Sequence, residues 1–205
     1  MILTGSEDLN NFLSGYENIT AIYGEAGSGK TTLCLLATIE QTLNNKKVLF
    51  LDSESNFSTE RFEQLLNTRN KDCIKNILIL KIKNFNLQHT QIKSLENIKN
   101  VSLIVVDSLT HYYRRLHRRE PEIAEAMLGK QLSILNSISK NIPVLVTSQV
   151  YSNMKNDVAP LGKDILIKFS YNIIKLEKNP RKIVLEKPNR KEIKFSIINE
   201  GIKLQ

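Results

Sequence analysis

The stretch Gly24-Glu25-Ala26-Gly27-Ser28-Gly29-Lys30-Thr31, continued by Thr32, fits the pattern G-x-x-x-x-G-K-[ST] and decides the fold. It follows an apolar run of strand length, Ile19 to Tyr23, and opens a helical pattern from Thr31 to Asn44 with spaced Leu33, Leu36, Ile39 and Leu43. A glycine-rich turn between strand and helix can cradle phosphates. Gly24, Gly27 and Gly29 let backbone N–H groups point inward and let the chain approach phosphate oxygens with no Cβ in the way. Lys30 then neutralises β and γ phosphates, Thr31 holds Mg²⁺ through its hydroxyl, and the helix that starts there directs its positive end at the anion. The cofactors expected are ATP and Mg²⁺.

Working outward, further strands are expected at Val48 to Asp52, Ile77 to Ile82, Leu103 to Asp107 and Val144 to Gln149, with helices at Ser58 to Leu66 and Glu122 to Ser139 between them. Nearly continuous apolar strands such as Leu103-Ile-Val-Val106 need cover on both sides. The fold class is therefore α/β: a phosphate-loop ATPase core with a mostly parallel sheet and helices on both faces. Past Gln149 the pattern changes. Asn172 to Glu177, Lys182 to Glu186 and Lys194 to Ile198 are short strand-like runs separated by turn residues, which predicts an antiparallel hairpin extension. With no repeat and no long linker, residues 1–205 read as one domain.

Asp107 ends a buried strand, where an unpaired carboxylate is costly, and it suits the carboxylate that holds the Mg²⁺ shell. Ser108 follows it, so the acidic pair found in many ATPases is missing and a catalytic base must come from another strand. Val48-Leu-Phe-Leu-Asp52-Ser53-Glu54 ends in two carboxylates at the same rim, if its strand runs parallel to Ile19 to Tyr23. Glu54, just past the strand, is the better placed of the two to orient and deprotonate a water in line with the γ phosphate.

Of 205 residues, 41% are hydrophobic and 24% charged, and no apolar stretch approaches the roughly 20 residues of a membrane span. The N-terminus lacks the pattern of a secretory signal, so a cytoplasmic location is expected. Cys34 and Cys73, separated by 38 residues, suit buried thiols. His89, His111 and His117 show no metal-ligand spacing, which leaves structural or surface roles. The net charge of +8 is unevenly divided: residues 1–110 carry 11 basic and 12 acidic side chains, residues 111–205 carry 18 and 9. An anionic partner is implied, with nucleic acid foremost. Arg114-Arg115-Leu116-His117-Arg118-Arg119, beside Tyr112 and Tyr113, offers phosphate neutralisation and base stacking.

Gly24 to Thr32, Phe50-Leu-Asp-Ser-Glu-Ser-Asn-Phe-Ser-Thr-Glu-Arg61, Leu103 to Leu109 and Val144 to Val150, in this order and spacing, resemble the ATPase core of the RecA/RadA recombinase family over nearly the whole chain. The start Leu3-Thr-Gly and the ending through Phe195 to Ile202 are most similar to its archaeal RadB-like branch. The resemblance implies that Glu54 activates water, that Arg61 stacks on the adenine and that Gln149 is a polar sensor linking the γ phosphate to the loop Tyr151 to Lys163, which in recombinases touches DNA. It also places Arg114, Arg115, Arg118 and Arg119 where recombinases carry their first DNA-binding loop, with single-stranded DNA the expected form. Alternatively, the DNA face would lie around Lys155, Lys163 and the Lys187 to Lys191 turn. Lys187 and Arg190 correspond to basic residues that in related assemblies reach a neighbouring subunit's nucleotide, or else form a solvated hairpin tip; Pro188 stands where the branch tends to carry histidine.

The implied function is a DNA repair and recombination ATPase of weak turnover that assists the main recombinase. A beginning at the core leads us to expect no N-terminal helix-hairpin-helix domain and no stable filament, although a homo-oligomer fits. A KaiC-like signalling ATPase acting through oligomerisation is the alternative, and a binding module with structural ATP is a third reading.

Overall fold

The computed structural model describes residues 1–152 and 158–205. Their elements are α1 (Glu7–Leu13), β1 (Ile19–Gly24), α2 (Lys30–Leu43), β2 (Val48–Asp52), α3 (Thr59–Leu66), β3 (Ile77–Lys81), α4 (Phe85–Ser94), β4 (Leu103–Asp107), α5 (His111–His117), α6 (Pro121–Ser139) and β5 (Val144–Ser148). There follow β6 (Val150–Ser152), β7 (Val158–Pro160), α7 (Lys163–Phe169), β8 (Asn172–Lys178), β9 (Arg181–Lys187), β10 (Lys191–Ile198) and β11 (Gly201–Leu204).

One sheet runs β3-β2-β4-β5-β1-β8-β9-β10-β11. From β3 to β8 every neighbour pair is parallel, and from β8 onward every pair is antiparallel. The expected mostly parallel sheet with a C-terminal antiparallel extension is what forms. Because side chains alternate across a strand, each central strand feeds two cores. Val48, Phe50, Leu103, Val105 and Leu145 face α1, α2, α3 and the C-terminal strands. Leu49, Leu51, Ile104, Val106, Val144 and Val146 face α4, α5, α6 and α7. Cys34 and Cys73 are buried and free on the first side.

Local chemistry explains several boundaries. Ser58 caps α3 by accepting from the backbone N–H of Arg61 at 3.1 Å, and Pro121 opens α6 at a position where its missing N–H costs nothing. The expected strands and helices lie within one residue of those found, except that β10 starts three residues before the expected Lys194. Two expectations need correction. The arginine run after Asp107 begins inside a helix, α5, and leaves it at Arg118, with Tyr113 buried in the same core as Phe85, Leu128 and Leu166; apolar contact with α4 and α6 supports a helix too short to stand alone, and Tyr113 is not free to stack on bases. The segment from Tyr151 to Lys163 is not an open loop throughout, because β6 and β7 pair as a two-stranded sheet and Lys163 begins α7. Lys155 lies outside the described residues.

No helix among the described residues is long and apolar enough to cross a membrane.

Candidate functional site

The C-terminal ends of β1, β2, β4 and β5 lie side by side at one rim of the sheet, where Gly24, Asp52, Asp107 and Ser148 end their strands. After β1 the glycine-rich loop turns into α2. A side chain at Gly24 would place its Cβ 2.3 Å from the Leu176 carbonyl oxygen, and Gly27 and Gly29 have φ of +73° and +112°, so this path is closed to other residues without strain. Beside the loop is a cleft of about 230 Å³ lined by Ala26, Gly27, Gly29, Lys30, Thr31, Thr32, Glu54, Asn56, Asp107 and Ile197.

Lys30 Nζ donates to the carbonyls of Gly24 at 2.8 Å and Glu25 at 2.9 Å, so the ammonium is held on its own loop. Burial lowers its pKa, against the pull of Asp107 and Glu54. Thr31 Oγ1 donates to Asp107 Oδ2 at 2.7 Å, and Thr147 donates to the other oxygen of Asp107. Burial pushes the Asp107 carboxyl up despite these bonds. The cleft thus buries a cation and a carboxylate, each penalised by desolvation. A bound polyphosphate would relieve the first and a divalent cation the second. The donor set also fits: Thr31 keeps hydroxyl lone pairs for a metal while its proton serves Asp107, and Ser28 Oγ is buried with no partner among the described residues.

Of the two carboxylates after β2, Asp52 is committed to the backbone. Its oxygens accept from the N–H groups of Asn56 at 3.0 Å and Phe57 at 3.2 Å and so shape the turn. Glu54 is held by side chains alone. Gln149 Nε2 donates to Glu54 Oε1 at 2.9 Å, and Asn56 Nδ2 donates to Oε2 at 3.2 Å. Gln149 is itself fixed through its backbone N–H, which donates to Thr110 Oγ1 at 2.9 Å. Ser53 and Ser108 tie the ends of β2 and β4 together: Ser53 Oγ donates to the Ser108 carbonyl at 2.6 Å and accepts from the Ser108 N–H at 2.8 Å.

Arg61 is not in the cleft lining. From α3 its guanidinium donates to the carbonyls of Ile198 at 3.0 Å and Asn199 at 3.1 Å, the turn that follows the cleft residue Ile197. Lys187 is not part of a solvated tip. Its Nζ donates to the Ser170 carbonyl at 2.6 Å and caps the end of α7, whereas Arg190 is exposed.

The arginines lie outside this cleft. Arg114, Arg115, Arg118 and Arg119 are exposed, and none makes an ion pair among the described residues. Arg115, Arg118 and Arg119 share a cavity of about 530 Å³ with Lys83 and Tyr112. Arg115 stands 5.6 Å from the centre of the Tyr112 ring. Arg114 points elsewhere on the helix and is not in that lining.

Sequence reasoning passed over Thr147, Lys83, His111 and Arg181. Thr147 carries a readable signal, a hydroxyl within the apolar run of β5 two residues before Gln149. Lys83 shares the arginine cavity only because α4 and α5 pack together. His111 reaches Glu54 because α5 begins there. Arg181 donates to the carbonyls of Gly27 at 3.2 Å and Ser28 at 3.4 Å, a contact between distant parts of the chain that no local pattern announces.

The chain is similar to known proteins over nearly its whole length. The sequence profile of the Rad51 family matches residues 1–204. A protein of Methanococcus maripaludis strain C7 named DNA repair and recombination protein RadB is 33% identical over 209 residues, covering 97% of this chain and 97% of its own length. A protein of the same name from Methanococcoides burtonii is 36% identical over 187 residues, covering 86% of this chain and 83% of its own length. The solved structure described as the crystal structure of the RadB recombinase has a TM-score of 0.82 at 33% identity, covering 98% of each chain.

Proposed function

The chain belongs to the Rad51 family, and from that membership we propose that it is an ATP-binding recombinase paralog that binds DNA and assists a main recombinase in repair, with slow hydrolysis acting as a switch. Its relatives favour this reading over a KaiC-like signalling ATPase. One observation carries the chemistry: Lys30, the Thr31–Asp107 pair and the Glu54–Gln149 pair converge on one cleft beside the glycine-rich loop.

In this proposal Lys30 leaves the Gly24 and Glu25 carbonyls for the β and γ phosphates, and inward backbone N–H groups of the loop hold the remaining oxygens. Thr31 would hold Mg²⁺ through its hydroxyl and Asp107 would hold the water shell of the ion, whose charge would offset that of the triphosphate. Glu54 orients and deprotonates the attacking water, and Gln149 fixes the rotamer of Glu54 and senses the γ phosphate. Arg61 contacts the adenine. Its edge is pinned by the Ile198 and Asn199 carbonyls, which leaves the guanidinium faces free to stack. The protein works in the cytoplasm on DNA.

The ATPase rate with and without single-stranded DNA tests the reading. We expect the rate to rise on DNA; a rate indifferent to DNA would sink a DNA-linked switch.

The arginine helix yields a second expectation. Each phosphate neutralised on a single strand contributes about −0.7 to the slope of log K against log salt, so four contacts contribute about −3. Replacing Arg114, Arg115, Arg118 and Arg119 together by alanine should flatten the slope by up to that amount and weaken binding about equally across sequences. Salt titrations of labelled oligonucleotides measure it. An unchanged slope would remove α5 from the DNA face.

A further inference from the structure

Glu54 has a third neighbour that the chemistry above does not use. His111, the first residue of α5, is half-buried with Nδ1 3.8 Å from Glu54 Oε1 and 3.5 Å from Gln149 Nε2. Its ring meets Tyr112 edge to face, with centroids 4.6 Å apart. The Gln149 amide has two protons. One serves Glu54 Oε1, and the other faces the imidazole.

We propose that His111 is a positioning residue for ATP hydrolysis, whose imidazole holds the Gln149 amide on Glu54 and ties this pair to the start of the arginine-bearing helix. The proposal rests on the hydrolytic reading of Glu54 given above. With the ring neutral and its proton on Nε2, Nδ1 accepts from Gln149, and the three side chains form one chain that ends on the carboxylate. A protonated ring turns Nδ1 into a donor. It then opposes the N–H of Gln149 and directs a positive charge at Glu54 Oε1, which draws the carboxylate away from the water. The groups facing the ring are Glu54 after β2, Gln149 after β5, and Arg115 and Tyr112 on its own helix. Burial, aided by Arg115 and opposed by Glu54, lowers the imidazole pKa, so the neutral, productive form prevails at pH 7 and is lost as the pH falls.

The test is the steady-state ATPase of the full chain with Mg²⁺ and single-stranded DNA, from about pH 5.5 to about pH 8.5, for wild type, His111→Ala and His111→Asn. Asparagine can place an oxygen near Nδ1 that accepts from Gln149 and never protonates. We expect His111→Ala to lose about tenfold in kcat at pH 8 with KM for ATP within about twofold of wild type, which locates the loss in the chemical step. His111→Asn should recover most of that rate and lack the wild-type fall below about pH 6.5. Three matching rates and pH profiles would overturn the role of His111 and leave Glu54 as the base. A wild type that binds ATP and Mg²⁺ without turning ATP over would overturn the hydrolytic reading, and this proposal with it.

Discussion

Lys30→Ala should weaken ATP binding by about 10²-fold or more. Truncating one partner of a buried, hydrogen-bonded charge pair commonly costs about 2–5 kcal/mol, and each 1.4 kcal/mol is about tenfold in affinity. The phosphates would meet a desolvated cleft whose remaining charges, Asp107 and Glu54, are both acidic. Loss of the lysine is therefore worse than neutral, because the carboxylates would repel the ligand. The alanine also frees the Gly24 and Glu25 carbonyls that the ammonium holds, so a melting curve should accompany the titration. Wild-type affinity for a labelled ATP analogue in a folded variant would show that the loop is not the phosphate site.

For Glu54→Gln the expected outcome is retained ATP binding with turnover reduced by about 10² or more, the loss typical when a positioned base is removed. The substitution keeps the shape and one acceptor oxygen, so the Gln149 amide keeps its partner and the cleft its lining. The capacity to take a proton goes, together with the exposed hydrogen bond from Asn56 Nδ2. Lys30→Ala and Glu54→Gln thus separate binding from chemistry, and single-turnover measurements at saturating ATP read the second alone. Unchanged turnover would mean that the base lies elsewhere. Asp52 is a poor substitute, since both its oxygens accept from the backbone of the turn that follows.

The parts of this molecule that could be read in advance are those governed by local rules. The glycine-rich loop, the buried strands and the polar residues at their ends all lie within a few residues of the pattern that announces them, so Lys30, Thr31, Glu54 and Asp107 meet in one cleft where the strand order brings them, and Gln149 reaches it through Glu54. Short amphipathic pieces were harder. The helix α4 buries only Phe85, Gln88 and Ile92, a pattern diluted by a glutamine whose Nε2 donates to the Leu109 carbonyl and to Gln131 Oε1. A run rich in arginine and tyrosine reads as solvated surface until Tyr113 is seen packed between helices. Nothing local gives His111 more than a structural or surface role, because its meaning depends on the start of α5 relative to the end of β2, a distance set by tertiary packing.

The phosphate loop is made early in the chain, yet the wall opposite it is made last. β8 lies against β1, Arg181 holds the loop carbonyls, Ile197 lines the cleft, and Arg61 is pinned by the turn before β11. During synthesis, at about 5–20 residues per second, the first half of the sheet can assemble while these strands are still unmade. Until then one side of the cleft is open to water and the loop lacks its partners. The nucleotide site proposed for this cleft would therefore be complete only when the final hairpins close, and a nascent or C-terminally nicked chain would carry an intact glycine-rich motif without its opposite wall.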